Sequence, residues 1–139
     1  MIETTIQYLG GVKFEATARG HSVICDQPVD NGGADEGMTP PEFLLASLGT
    51  CAGFYAAQYL KARNLSTMGL SVRVTAEKAA QPARLGSFHI EVEAPGAVDT
   101  RHSEGVLRAV KSCLVHNTLM LPPSIELNVN AAVPVTASH

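Results

Sequence analysis

The run from Phe43 to Leu60, eighteen residues without a formal charge, constrains the fold more than any other part of the chain. Directly before it stands Thr39-Pro40-Pro41-Glu42, which reads as a helix start. Thr39 can cap, the prolines need no N–H donor in the first turn, and Glu42 occupies the third helical position, where a capping box wants an acceptor. Lys61 and Arg63 follow at the end where the helix dipole is negative, and Asn64 is a suitable stop. One helix from Pro40 to about Arg63 is therefore expected. Its polar residues fall only at Ser47, Thr50, Gln58 and Lys61, a thin stripe, so apolar side chains cover almost the whole circumference. In length the run sits at the lower limit for a membrane span. Each strongly apolar residue would favour insertion by roughly 0.3–0.6 kcal/mol, and Ser47, Gly49, Thr50, Gly53 and Gln58 oppose it. A buried helix of a soluble domain is the better reading, and one small sheet cannot bury all of it.

The remaining composition fits that reading. With 139 residues, 45% of them apolar and 17% charged, the chain has the balance of one folded domain spanning residues 1–139 and not of a disordered tail. Lys plus Arg number 10 against 13 Asp plus Glu, which leaves no excess of positive charge to steer the chain onto phosphate backbones. Neither nucleic acid nor a membrane is expected as a partner. Three cysteines cannot make a full disulfide framework, and Met1-Ile2-Glu3-Thr4-Thr5 lacks the basic-then-apolar order of a secretory signal. A cytoplasmic location with free thiols is the expectation.

Before the long helix, Thr4–Leu9, Val12–Ala18 and His21–Cys25 read as three antiparallel strands, with Gly10-Gly11 a hairpin turn and a break near Gly20. Asp26–Met38 combines Pro28, Gly32, Gly33 and Gly37 with four acids and reads as a loop. After the helix, Leu70–Ala76 alternates on Val72, Val74 and Ala76, and a second alternation runs through Phe88, Ile90 and Val92, giving two strands with one wet face each. Val106, Leu107 and Val110, with Cys113 and Leu114 after them, fall at helical spacing and predict a second helix, ended at the latest by Pro122-Pro123. Ile125, Leu127 and Val129 alternate again as a last strand. The order β-β-β-α-β-β-α-β is that of an α+β fold.

Among the thiols, Cys51 lies mid-helix where the polar stripe meets the apolar face, and Cys113 has His116 three residues on, so both are candidates for chemistry as well as for packing. Cys25 ends a strand without a polar cluster and reads as structural. Cys113 and His116 could be two zinc ligands, with Cys25 and Cys51 as further ones, but no Cys-x-x-Cys pair is present and no metal or cofactor is expected. A hydrolytic Cys113–His116 dyad lacks an orienting group. His21, His89, His102 and His139 read as turn or surface residues, and Arg19, alone at a turn, as a solvated one.

The segment Gly37-Met38-Thr39-Pro40-Pro41-Glu42-Phe43-Leu44-Leu45-Ala46-Ser47-Leu48-Gly49-Thr50-Cys51 resembles the OsmC/Ohr family, whose first central helix opens with Pro-x-Glu-Leu-Leu and carries its reactive cysteine in a Leu-Gly-x-Cys context. Cys113-Leu114-Val115-His116-Asn117-Thr118-Leu119 is similar to the family's Cys-Pro-Val-His-x-Thr-Leu. The resemblance covers nearly the whole chain. It implies an OsmC-like fold in an intertwined homodimer with both long helices at its centre, and a thiol peroxidase that reduces small hydrophobic organic hydroperoxides and is recycled by an external dithiol. By position it makes Cys51 the peroxidatic cysteine, Cys113 the resolving one, and Glu42 the carboxylate that holds an active-site arginine. Arg19 is the nearest counterpart of that arginine, with Arg73 and Arg84 as alternatives. Leu114 stands where the family usually has proline, which would let the helix run on and aim Cys113 differently. The wording of the motifs is closer to the general OsmC-like branches than to the organic-peroxide resistance branch. A dimeric small-molecule-binding or stress-associated protein with unreactive thiols is the competing reading.

Helix geometry adds one constraint to that carry-over. Glu42 and Cys51 lie nine residues, two and a half turns, apart, so they sit on opposite sides of one helix and ~13 Å apart along its axis. If both belong to one site, the carboxylate comes from a partner subunit, with two copies of the helix crossing antiparallel near Ala46 and Ser47. The small side chains of Ala46, Ser47 and Gly49 would suit such a crossing.

Overall fold

A computed structural model describes residues 1–132 of the chain. Strands β1 (Thr5–Tyr8), β2 (Phe14–Ala18) and β3 (His21–Cys25) form a meander, and helix α1 (Pro40–Ala62) follows a loop. Strands β4 (Ser71–Ala79) and β5 (Arg84–Glu93) make a separate antiparallel hairpin, followed by helices α2 (Thr100–Val110) and α3 (Leu114–Met120).

Helix α1 begins where its sequence dictates. The Thr39 backbone N–H and hydroxyl both donate to Glu42 Oε1, each at 2.9 Å, and Asn64 past the C-terminus takes a positive φ of 55°. Leu48, Ala52, Ala56 and Leu60 repeat every fourth residue and form its buried row. Ala52, Ala56 and Leu60 meet Val106 and Val110 of α2, while Val72, Ile90 and Val92 of the β4–β5 hairpin close the same core. Burying a leucine of this kind stabilises by ~1.5–3 kcal/mol, so this seam anchors the helices to the hairpin. The expected polar stripe of Ser47, Thr50, Gln58 and Lys61 is exposed, with Phe54 among it.

Gly49, unlike Gly53, sits too close to β4 for a side chain to fit without a shift. A Cβ on Gly49 would stand 3.0 Å from Val74 and one on Gly53 3.5 Å from Val72, so Gly49 is small because β4 crosses α1 there. Gly105 plays the same part on α2, because a Cβ there would occupy the space of the Tyr59 ring and hydroxyl.

The β2–β3 connection is a two-residue turn in which Arg19 and Gly20 have φ of 50° and 81°, the left-handed pair that a tight hairpin needs. The loop after β3 is organised by Asp26. This buried carboxylate accepts backbone N–H bonds from Gln27 (2.8 Å), Glu36 (3.1 Å) and Ala34 (3.2 Å), which hold its pKa below the ordinary value against the cost of burial.

Two expectations change. The second helix stops at Val110 and restarts at Leu114, because Cys113 leaves the helical region with ψ of 130°. The predicted last strand is not formed: Ile125, Leu127 and Val129 lie in a segment without regular structure and are 79–94% exposed. A strand needs a neighbouring edge to pair with, and no other strand of the chain is hydrogen-bonded to this segment among the described residues.

Candidate active site

Cys51 projects from α1 beside the buried Leu48–Ala52 row and is half-buried. Cys113 sits at the α2–α3 junction and is 0% exposed. The break in the helix brings the two thiols together. At Cys113 the backbone has φ of −58° and ψ of 130°, the conformation that a following proline would impose, so Leu114 does not let the helix run on. Cys113 becomes the N-cap of α3, and its sulfur accepts the His116 backbone N–H at 3.4 Å.

Electrostatics separate the two thiols. Burial pushes the Cys51 thiol up, but hydrogen bonds from the Cys113 thiol and from the backbone N–H groups of Val115 and Leu114 outweigh it and hold Cys51 below its ordinary pKa. Cys113 moves the other way. Burial raises it, the hydrogen bond to Cys51 raises it further, and the N–H groups of His116 and Val115 only partly compensate. A sulfur supplied with donors and backed by a neutral thiol favours the nucleophilic thiolate at Cys51.

The other expected site residues stand elsewhere in a single chain. The Glu42 carboxylate is engaged with Thr39, whose backbone and side-chain hydrogen bonds lower its pKa. Arg19 is exposed in the β2–β3 turn. Neither is among the groups that set the acidity of Cys51. Arg84 donates to the carbonyls of Ala80 and Pro82 in its own hairpin, and Arg73 is exposed on β4 opposite Glu91. Cys25 is half-buried on β3 and faces Phe14 across the ladder. Among the described residues no group of three His, Cys, Asp or Glu side chains is placed to hold a metal ion.

What the sequence reading missed are the main-chain donors of Leu114 and Val115, which have no side-chain signature, and Asp26, which it grouped with the other loop acids. The signal for Asp26 was its setting. Gly33 and Gly37 pass so close to the carbonyls of Gln27 and Ile24 that no side chain would fit, which marks a tightly folded loop.

Residues 32–128 match the protein family described as OsmC-like protein. The fold is similar to that of a Psychrobacter arcticus 273-4 protein assigned to the osmotic stress induced and detoxification response, with a TM-score of 0.76 and 24% identity over 85% of this chain and 88% of that one. An OsmC-like protein of Mycoplasma pneumoniae aligns with a TM-score of 0.71 and 21% identity over 86% and 87% of the two chains. An organic hydroperoxide resistance protein of Legionella pneumophila aligns with a TM-score of 0.60 and 16% identity over 84% and 88%. No curated protein matches the sequence.

Proposed function

The chain belongs to the OsmC-like protein family, and from that premise we propose that it is a thiol-dependent peroxidase acting on small hydrophobic organic hydroperoxides, with Cys51 as nucleophile and Cys113 as resolving thiol. The observation that carries the reading is the pairing of Cys51 with the buried Cys113, with the Cys51 thiol below its ordinary pKa and the Cys113 thiol above it. The Cys51 thiolate attacks the terminal peroxide oxygen and the O–O bond breaks. The departing alkoxide takes a proton and leaves as the alcohol, and Cys51 becomes a sulfenic acid. The Cys113 sulfur then attacks the Cys51 sulfur, an S–S bond forms, and the hydroxyl leaves as water with the Cys113 proton. An external dithiol reopens the disulfide by two exchange steps and is itself oxidised.

The functional unit in this proposal is a homodimer in the cytoplasm, without cofactor or metal. Two surfaces support it. Ile6, Ala16 and Val23 stand opposite one another across the meander, as do Tyr8, Phe14 and Cys25, so one sheet face carries an apolar patch; Ile6 is 58% and Tyr8 61% exposed. Helix α1 is long and apolar enough to cross a membrane by length and composition, yet only 28% of its apolar window is buried by its own chain. If two copies of α1 cross antiparallel near Ala46 and Ser47, a partner's Glu42 comes toward Cys51.

Competition kinetics test the activity. Reduced protein should consume an organic hydroperoxide faster than hydrogen peroxide, and Cys51→Ser should abolish both reactions. A Cys51→Ser chain that keeps the activity, or a preference for hydrogen peroxide, contradicts the reading and favours a binding protein with unreactive thiols.

A further inference from the structure

A cleft of about 390 Å³ opens between β5 and α2, on a part of the molecule that neither cysteine lines. Ile90 and Val92 form one wall, Val106 and Leu107 the other, and Lys111 and His116 stand at the α2–α3 end. Its size is within the range of sites that hold small molecules. Apart from Ser103 the walls are apolar, whereas the end is not. His116 Nδ1 is buried there without a hydrogen-bond partner among the described residues. Lys111 is exposed and has no carboxylate partner among them. A buried imidazole nitrogen without a partner loses hydrogen bonding that a bound group can restore, and Lys111, lining the same cleft, adds a positive charge.

We propose that this cleft is a binding site for a medium-chain alkyl carboxylate, with the chain between β5 and α2 and the carboxylate between Lys111 and His116. The tail removes the faces of Val92 and Leu107 from water, Leu107 being 56% exposed. The carboxylate answers the charge of Lys111 with one oxygen and accepts from His116 with the other. The site goes beyond the peroxide chemistry, because it uses neither thiol. It nevertheless adjoins one, since the Cys113 N–H donates to the carbonyl of Val110 at 3.0 Å and the His116 N–H to the Cys113 sulfur.

Calorimetric titration of the reduced full chain with decanoate, and with decanol as the uncharged control, tests the site. Saturable decanoate binding is expected, weaker by about 5-fold for decanol, for Lys111→Gln and for His116→Phe. The His116 ring resonances should shift as decanoate is added, and the Cys51→Ser chain should bind with unchanged affinity. Lys111 is a surface residue, so its variant serves even if His116→Phe misfolds. Absence of saturable binding, equal affinity for decanol, or full affinity in Lys111→Gln overturns the proposal. Loss of binding in Cys51→Ser would move the ligand to the thiol site and overturns it as well. A protein that binds decanoate but does not react with peroxide would leave this site standing and refute the peroxidase reading alone.

Discussion

Cys51 and Cys113 are shifted in opposite directions: burial raises both thiols, but at Cys51 it is outweighed by hydrogen bonding from the Cys113 thiol and the Val115 and Leu114 N–H groups, whereas at Cys113 the contact with Cys51 adds to it. Only one member of such a pair carries the charge, and the two directions assign it to Cys51, since the His116 and Val115 N–H groups do not offset the burial of Cys113.

The pH dependence of the reaction follows from those directions. A thiol whose pKa is lowered is already thiolate at pH values below the ordinary thiol range, so sulfenic acid formation at Cys51 should rise with pH and level off before a free cysteine would. In Cys113→Ala the donor is lost and the profile should move to higher pH. Thiolate absorbance and the rate of peroxide consumption, both followed against pH, check this. An unmoved profile would mean that the contact does not acidify Cys51.

Arg19 can be tested without damage to its hairpin. Asn-Gly suits the left-handed turn better than Arg19-Gly20 does, so Arg19→Asn should keep or improve the stability of the meander while removing the cation. If a partner's Arg19 supports Cys51, the rate of sulfenic acid formation should fall roughly 100-fold in that variant. An unchanged rate gives the role to another group, and Arg73 is the next arginine to replace.

Glu42 has a cap role of its own, which Glu42→Gln preserves because glutamine also completes a capping box. The thermal midpoint should then stay close to that of the parent chain. If the carboxylate charge serves a site across a dimer interface, activity should drop in Glu42→Gln. Mixed dimers of Glu42→Ala and Cys51→Ser chains should keep one intact site, whereas sites confined to single chains would retain none.

How far the sequence carried these results depends on where each signal resides. The ends of α1 were legible because the capping box, Pro40-Pro41 and Asn64 are local chemistry, and the strands of both hairpins because alternation is local as well. The α2–α3 break was not, since no proline announces the ψ of 130° at Cys113. The alternation of Ile125, Leu127 and Val129 is present in the sequence, but a strand requires an edge outside itself, and periodicity does not say whose. At the site, the thiols were legible through their motifs, while the donors that distinguish them are main-chain groups fixed only by tertiary structure.

Two core residues test the packing. Leu60 is 0% exposed in the seam between α1 and α2, and Leu60→Ala should cost about 3 kcal/mol of unfolding free energy. Gly105→Ala should cost ~2 kcal/mol by displacing Tyr59 from its 3.1 Å hydrogen bond with His102. Urea unfolding with an unchanged slope and a lower midpoint is the expected result for both. A neutral Gly105→Ala would show that the α1–α2 seam relaxes at no cost.

Asp26 predicts an acid sensitivity of the loop. Its folded pKa is lowered by the Gln27, Glu36 and Ala34 N–H bonds, so its contribution to stability is complete above the ordinary carboxylate pKa and is lost as pH falls through the folded value. Asp26→Asn should lower the thermal midpoint at neutral pH and flatten the loss of stability below the ordinary carboxylate range. A variant that keeps the parent's acid profile would contradict the role given to Asp26.

The central claim is that Cys51 and Cys113 form a peroxidatic and resolving pair, and the intact mass of the chain after titration with one equivalent of organic hydroperoxide tests it most directly. The account predicts stoichiometric loss of the two thiol hydrogens, a peptide map with Cys51 joined to Cys113 and Cys25 free, and a trapped sulfenic acid on Cys51 in Cys113→Ser. An unchanged mass, or a first oxidation at Cys25 or Cys113, would contradict it.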